Sequence, residues 1–168
     1  MTQQIRKVLI LCTGNSARSI LAEALINARG EDRIIAYSAG SFPKGQVHPE
    51  ALALLERLGH STDALRSKSW DEFAGADAAD LDFVITVCDN AAGEVCPIWP
   101  GGPIAAHWGV PDPATVTGPH VVDAFAETYD RLARRVDAFV RLPIETMDPV
   151  SLKRAVNEIG QTDDGLRQ

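Results

Sequence analysis

Val8-Leu9-Ile10-Leu11-Cys12-Thr13-Gly14-Asn15-Ser16-Ala17-Arg18-Ser19 runs from an unbroken apolar segment, through a glycine-containing turn, into a helical pattern. Four consecutive large aliphatics suit a strand buried on both faces, as in a parallel sheet. Ser19 to Ala28 follows, with Leu21, Leu25 and Ala28 on one helical face. The turn therefore lies at the carboxyl end of a strand, where open α/β sheets bind their ligands.

The same alternation continues outward. Ile34 to Ser38 reads as a second strand closed by Ala39-Gly40. Glu50 to Leu58 reads as a helix carrying Leu52, Leu55 and Leu58, stopped at Gly59. Leu81 to Val87 is a third strand with Cys88 at its carboxyl end. Residues 89–119 are rich in glycine and proline, with a short strand near Ile104-Ala105-Ala106, and a segment this long reads as functional. From Val122 to Val140 apolar residues recur at three- and four-residue steps, the mark of a long amphipathic helix. Strands alternating with helices imply an α/β fold with a parallel sheet flanked by helices on both faces. One domain is expected over residues 1–160, with 161–168 a frayed polar tail.

Composition narrows the function classes. The 168 residues are 45% hydrophobic and 23% charged, with a net charge of −7 and a pI of about 5.0. Such a field repels polyanions, which argues against nucleic acid or anionic membrane as the main partner. The N-terminal apolar run, Val8 to Cys12, is too short for a signal-peptide core or a membrane span, so a cytoplasmic location is expected. Three cysteines in such a compartment point to reactive thiols or a metal rather than a disulfide framework.

Cys12 to Ser19 has the form Cys, five residues, Arg, Ser. Between a strand and a helix, this segment wraps its amide N–H groups around one tetrahedral oxyanion. The anion-binding residues are read as Thr13, Gly14, Asn15, Ser16, Ala17, Arg18 and Ser19, with Arg18 supplying a planar fork of donors. The amides, the helix N-terminus and Arg18 are expected to lower the Cys12 pKa and make it a nucleophile. Gly14 is expected to take a backbone conformation other residues resist, and Asn15 or Ser16 to brace the loop. The plainer alternative is that Cys12 is a small buried residue ending a strand.

These residues resemble the opening of arsenate reductases related to the low-molecular-weight protein tyrosine phosphatases. The resemblance continues at Ile85-Thr86-Val87-Cys88-Asp89, at Val95-Cys96-Pro97 and at His107-Trp108-Gly109-Val110-Pro111-Asp112-Pro113, and it spans residues 8 to about 142. It implies a single-domain, flavodoxin-like fold with a four-stranded parallel sheet. It also implies the reduction of arsenate to arsenite by a relay of Cys12, Cys88 and Cys96, with Asp112 as general acid. No tightly bound cofactor is implied, only an external thiol reductant, either thioredoxin or glutathione with glutaredoxin, acting on a monomer. Cys88 and Cys96 stand eight positions apart, a spacing that leaves the donor open. Some relatives bind potassium near the loop. Asn15, Glu23 and Ser38 match part of that site, but no residue is assigned to its remainder and the cation is not part of the expectation.

In the implied cycle the Cys12 thiolate attacks arsenic, Cys88 attacks the Cys12 sulfur as arsenite leaves, and Cys96 then takes Cys88 into the final disulfide. Asp112, protonated by desolvation or a negative neighbour, donates to the departing oxygen. The aromatic residues that tyrosine phosphatases often carry after Asp-Pro are replaced here by Ala114, which favours a small inorganic substrate. Alternatives remain at this point. A phosphatase would use Cys12, Arg18 and Asp112 without Cys88 or Cys96. The thiols could serve a non-enzymatic redox sensor, or bind a metal with His107 or His120, though the short spacing of structural zinc sites is missing. Asp112 could merely start the turn that Pro113 continues. His48 and His60 read as surface or helix-flanking residues, and Trp70, Trp99 and Trp108 as packing anchors.

Overall fold

The computed structural model describes residues 4–73, 80–88 and 102–161. Its elements are β1 (Arg6–Cys12), α1 (Arg18–Arg29), β2 (Ile34–Gly40), α2 (Pro49–Arg57), β3 (Phe83–Thr86), β4 (Ile104–His107), α3 (Val121–Val140) and α4 (Pro149–Gln161). The four strands form one parallel sheet in the order β2-β1-β3-β4. Register places Cys12 beside Gly40, Leu11 beside Thr86, and Thr86 beside His107, so all four strands end along one edge. Cys12 and Cys88 both lie at that edge.

Alternation along β1 sends its side chains to two cores. Val8 and Ile10 join Phe83, Ile85 and the helices, while Leu9 and Leu11 pack with Ala39, Leu81 and Val84. The larger core buries Phe125, Leu132, Val136 and Phe139 of α3 completely, at about 1.5–3 kcal/mol of transfer free energy for each side chain. Trp108 is fully buried there as well. It meets Phe139 edge-on and donates its Nε1–H to the Val156 carbonyl at 3.0 Å. Trp70 and Phe73, on a short 3-10 turn, pack against the smaller core. Trp99 lies outside the described residues.

Most boundaries agree with the sequence pattern to within two residues. The exception is α4, for which the sequence reading gives no element. Its apolar positions Leu152, Val156 and Ile159 are buried against β4, and Gly160 lies so close that an added Cβ would overlap the His107 carbonyl. Within residues 102–119 the described chain forms β4 and two 3-10 turns, Pro113–Thr115 and Gly118–His120. His48 caps α2, its Nδ1 accepting from the Glu50 amide at 3.0 Å, and His60 bonds the Tyr129 hydroxyl at 2.7 Å. The tail beyond Gln161 lies outside the described residues. Among the described residues no helix is long and apolar enough to cross a membrane.

Candidate active site

The turn from Cys12 to Arg18 closes into a cup of about 240 Å³, lined by those seven residues and by Phe42, Lys44 and Asp112. Of the residues read as anion-binding, Thr13 to Arg18 line the cup. Ser19 does not: it is fully buried and its hydroxyl accepts from Asn15 Nδ2 at 2.8 Å. The special backbone conformation falls on Asn15, at φ +46°, and not on Gly14. Asparagine tolerates this region better than most residues. Gly14 instead lies against the Lys44 side chain, which crosses close above it.

Asn15 holds this conformation through three hydrogen bonds. Its Nδ2 donates to Ser19 Oγ and, at 3.0 Å, to Ser38 Oγ, while its Oδ1 accepts from the Lys68 amide at 2.9 Å. Ser38 in turn donates to Glu23 Oε1 at 2.5 Å. The segment from Ser67 to Ser69 clasps the loop from outside. Ser67 Oγ donates to the Gly14 carbonyl at 3.2 Å, and the Gly40 amide donates to the Lys68 carbonyl at 2.9 Å. Sequence reasoning missed Ser67 and Lys68. They sit in a polar stretch with no periodicity and no motif.

Cys12 and Cys88 are both buried free thiols, and Cys88 stands close enough to Cys12 to influence its ionisation. Thr13 Oγ1 lies 3.6 Å from Cys88 Sγ. The hydrogen bond with Cys88, together with burial, pushes the Cys12 thiol up, against the pull of Arg18 and the Gly14 amide. This departs from the expected lowering. The cause is the neighbouring Cys88 thiol, whose charge also raises Cys12.

Arg18 reaches across to the segment after β4. Its Nη1 donates to the Val110 carbonyl at 3.1 Å, and its Nη2 lies 3.5 Å from Asp112 Oδ2. Its Nε–H is buried without an acceptor among the described residues, an arrangement that favours an anionic ligand. Asp112 caps the 3-10 turn at Pro113, accepting from the Ala114 amide at 3.0 Å, so the turn-starting role is real. The same carboxylate also faces the cup. Its environment differs from the desolvated, negatively flanked one expected, because its neighbour is the Arg18 guanidinium and its side chain is 32% exposed. A second cavity, of about 490 Å³, adjoins the first and is lined by Cys88, Arg18, Asp112 and Thr115 among others. Arg135 Nη1 pins this wall by donating to the Gly109 carbonyl at 3.0 Å.

Cys96 lies outside the described residues. Among the described residues no group of three or more His, Cys, Asp or Glu side chains is placed to hold a metal. Asn15, Glu23 and Ser38 do come together, yet they do not suit a potassium ion. The Asn15 side-chain oxygen is directed to the Lys68 amide, the Ser38 hydroxyl proton to Glu23, and the buried Lys68 favours the charged form of Glu23.

Comparison with known proteins agrees with the fold. The family model described as low molecular weight phosphotyrosine protein phosphatase matches residues 7–154. An arsenate reductase from Halalkalibacterium halodurans is 33% identical over 134 residues, covering 79% of this chain and 93% of that protein. A solved arsenate reductase in its oxidised state superposes with a TM-score of 0.67 at 27% identity, covering 81% of this chain and 97% of the other. A thioredoxin-dependent arsenate reductase from Corynebacterium glutamicum gives 0.55 at 25% identity, over 79% and 60% of the two chains.

Proposed function

We propose that this chain, which belongs to the low molecular weight phosphotyrosine protein phosphatase family, is an arsenate reductase that works through Cys12. One observation carries the choice of reductase over phosphatase. A second buried free thiol, Cys88, stands beside the nucleophile and lines the adjoining cavity, where ester hydrolysis has no use for it. The names of the relatives point the same way.

In this reading arsenate enters the cup and accepts hydrogen bonds from the loop amides and from Arg18, including its buried Nε–H. The guanidinium then turns from Asp112 to the anion. The Cys12 thiolate, its proton passed to the paired sulfur or to solvent, attacks arsenic(V). An oxygen departs as water with a proton from Asp112, leaving a Cys12–arsenic bond. Cys88 attacks the Cys12 sulfur. The sulfur–arsenic bonding pair goes to arsenic, which leaves as arsenite, and a Cys12–Cys88 disulfide forms. Cys96 then attacks Cys88, Cys12 departs as thiolate, and the two electrons have come from Cys88 and Cys96. An external thiol reductant, thioredoxin or glutathione with glutaredoxin, reduces the Cys88–Cys96 bond. No resident cofactor takes part.

The experiment is a split of two activities in Cys88→Ser. Arsenate turnover is expected to vanish while hydrolysis of a small aryl phosphate, even if slow, persists. Equal arsenate turnover in the variant and the parent would defeat the reading.

A further inference from the structure

The cup has a floor that the proposed chemistry does not use. Beneath Asn15 lie two side chains of opposite charge, Glu23 and Lys68, each 7% exposed. A buried charge without a partner is costly, so a buried carboxylate calls for a cation. Arg66 is also near, but it is exposed and held by Glu72 through two hydrogen bonds of 3.1 and 2.7 Å. Lys68 is the buried candidate. Its backbone is fixed at both ends, to Asn15 Oδ1 and to the Gly40 amide, and its Nζ donates to the Arg66 carbonyl at 3.1 Å. Burial pushes the Lys68 ammonium down and the Glu23 carboxyl up, while each favours the charged form of the other.

We propose that Lys68 is the resident cation of the loop's support, taking the place of the alkali ion that the family resemblance attaches to Asn15, Glu23 and Ser38, so that oxyanion binding in the cup needs no potassium. Lys68 is a positioning residue. It acts on the anion through the Glu23–Ser38–Asn15 chain of hydrogen bonds, which sets the left-handed turn of the loop. A potassium ion added to this pocket would face an ammonium in addition to a carboxylate and leave an uncompensated positive charge.

The backbone bonds of Lys68 survive in Lys68→Met, so this variant removes the charge and leaves the clasp. The proposal rests on reading the loop as an oxyanion cup, but not on arsenate reduction. Its readout is therefore the affinity for inorganic phosphate by calorimetry, together with thermal melting, in potassium, sodium and choline chloride at one ionic strength. The parent protein is expected to bind phosphate equally in all three salts. Lys68→Met is expected to bind about tenfold more weakly in choline chloride and to regain part of that loss in potassium chloride. Lys68→Arg is expected to stay near the parent.

Tighter phosphate binding by the parent in potassium than in choline overturns the proposal, and this comparison needs no variant. Parent-like binding by Lys68→Met, or binding equally weak in all three salts, overturns it as well. A parent protein that binds no phosphate in any salt overturns the cup itself, an outcome distinct from the others.

Discussion

The two sides of the Cys12 loop are built on opposite principles. On the floor side every polar side chain of the brace has a partner: Asn15 is bonded to Ser19, Ser38 and Lys68, and Ser38 to Glu23. On the cup side bonding is incomplete or shared. Among the described residues Arg18 leaves its Nε–H without an acceptor and divides its fork between Val110 and Asp112, and a second thiol stands beside the nucleophile. Full satisfaction below fixes the shape of the loop. Incomplete satisfaction above leaves donors and a nucleophile for a ligand. The contrast is what preorganisation requires: rigidity is placed where nothing reacts.

The largest effect that would sharpen this contrast is on the cup side. Arg18→Lys keeps the charge but loses the planar fork, and kcat/KM for arsenate is expected to fall about 10²–10³-fold in steady-state assays. Folding stability should change little, because Arg18 takes no part in the brace. A variant with a large stability loss and ordinary turnover would place Arg18 on the wrong side of the comparison.

Next in size is a change on the floor. Asn15→Ala leaves the Lys68 amide and the Ser19 and Ser38 hydroxyls short of partners, and puts alanine at φ +46°. Urea denaturation is expected to show a loss of about 2–3 kcal/mol. A loss below about 0.5 kcal/mol would mean that the brace is ornamental.

How much of this was legible in the sequence follows the same division. Most of the cup lies in the contiguous residues Cys12 to Arg18, so its motif, its place after a strand and the helix that follows could be read directly, whereas Phe42 and Lys44 come from a loop without a motif. Cys88 could be placed near Cys12 because both end parallel strands. Asn15 could be read as a brace of the loop, but its partner Lys68 could not, since it meets Asn15 across 53 positions and lies in a serine-rich segment without periodicity. Intrinsic preference points to Gly14 for the special backbone conformation, whereas hydrogen bonding places it on Asn15. The pairing of the two thiols reversed the expected direction of the Cys12 shift, a consequence of side-chain contact that no local pattern carries. α4 went unread although Leu152, Val156 and Ile159 have helical spacing, and its role came only from packing on β4.

The smallest effect concerns that thiol pair. Cys88 raises the Cys12 thiol by its hydrogen bond and its charge. Removing it in Cys88→Ala leaves Arg18 and the Gly14 amide still pulling down. The pH profile of Cys12 alkylation, followed by mass spectrometry, is therefore expected to shift to lower pH, with faster modification at neutral pH. A profile unchanged, or moved upward, would show that the two sulfurs do not titrate together.

The central claim is that Cys12 is the first sulfur of a relay. Its most direct test is mass mapping of disulfides after one turnover with arsenate and no reductant. A Cys88–Cys96 bond is expected in the parent protein and a Cys12–Cys88 bond in Cys96→Ser. Arsenite formed with all three thiols still free would contradict the account.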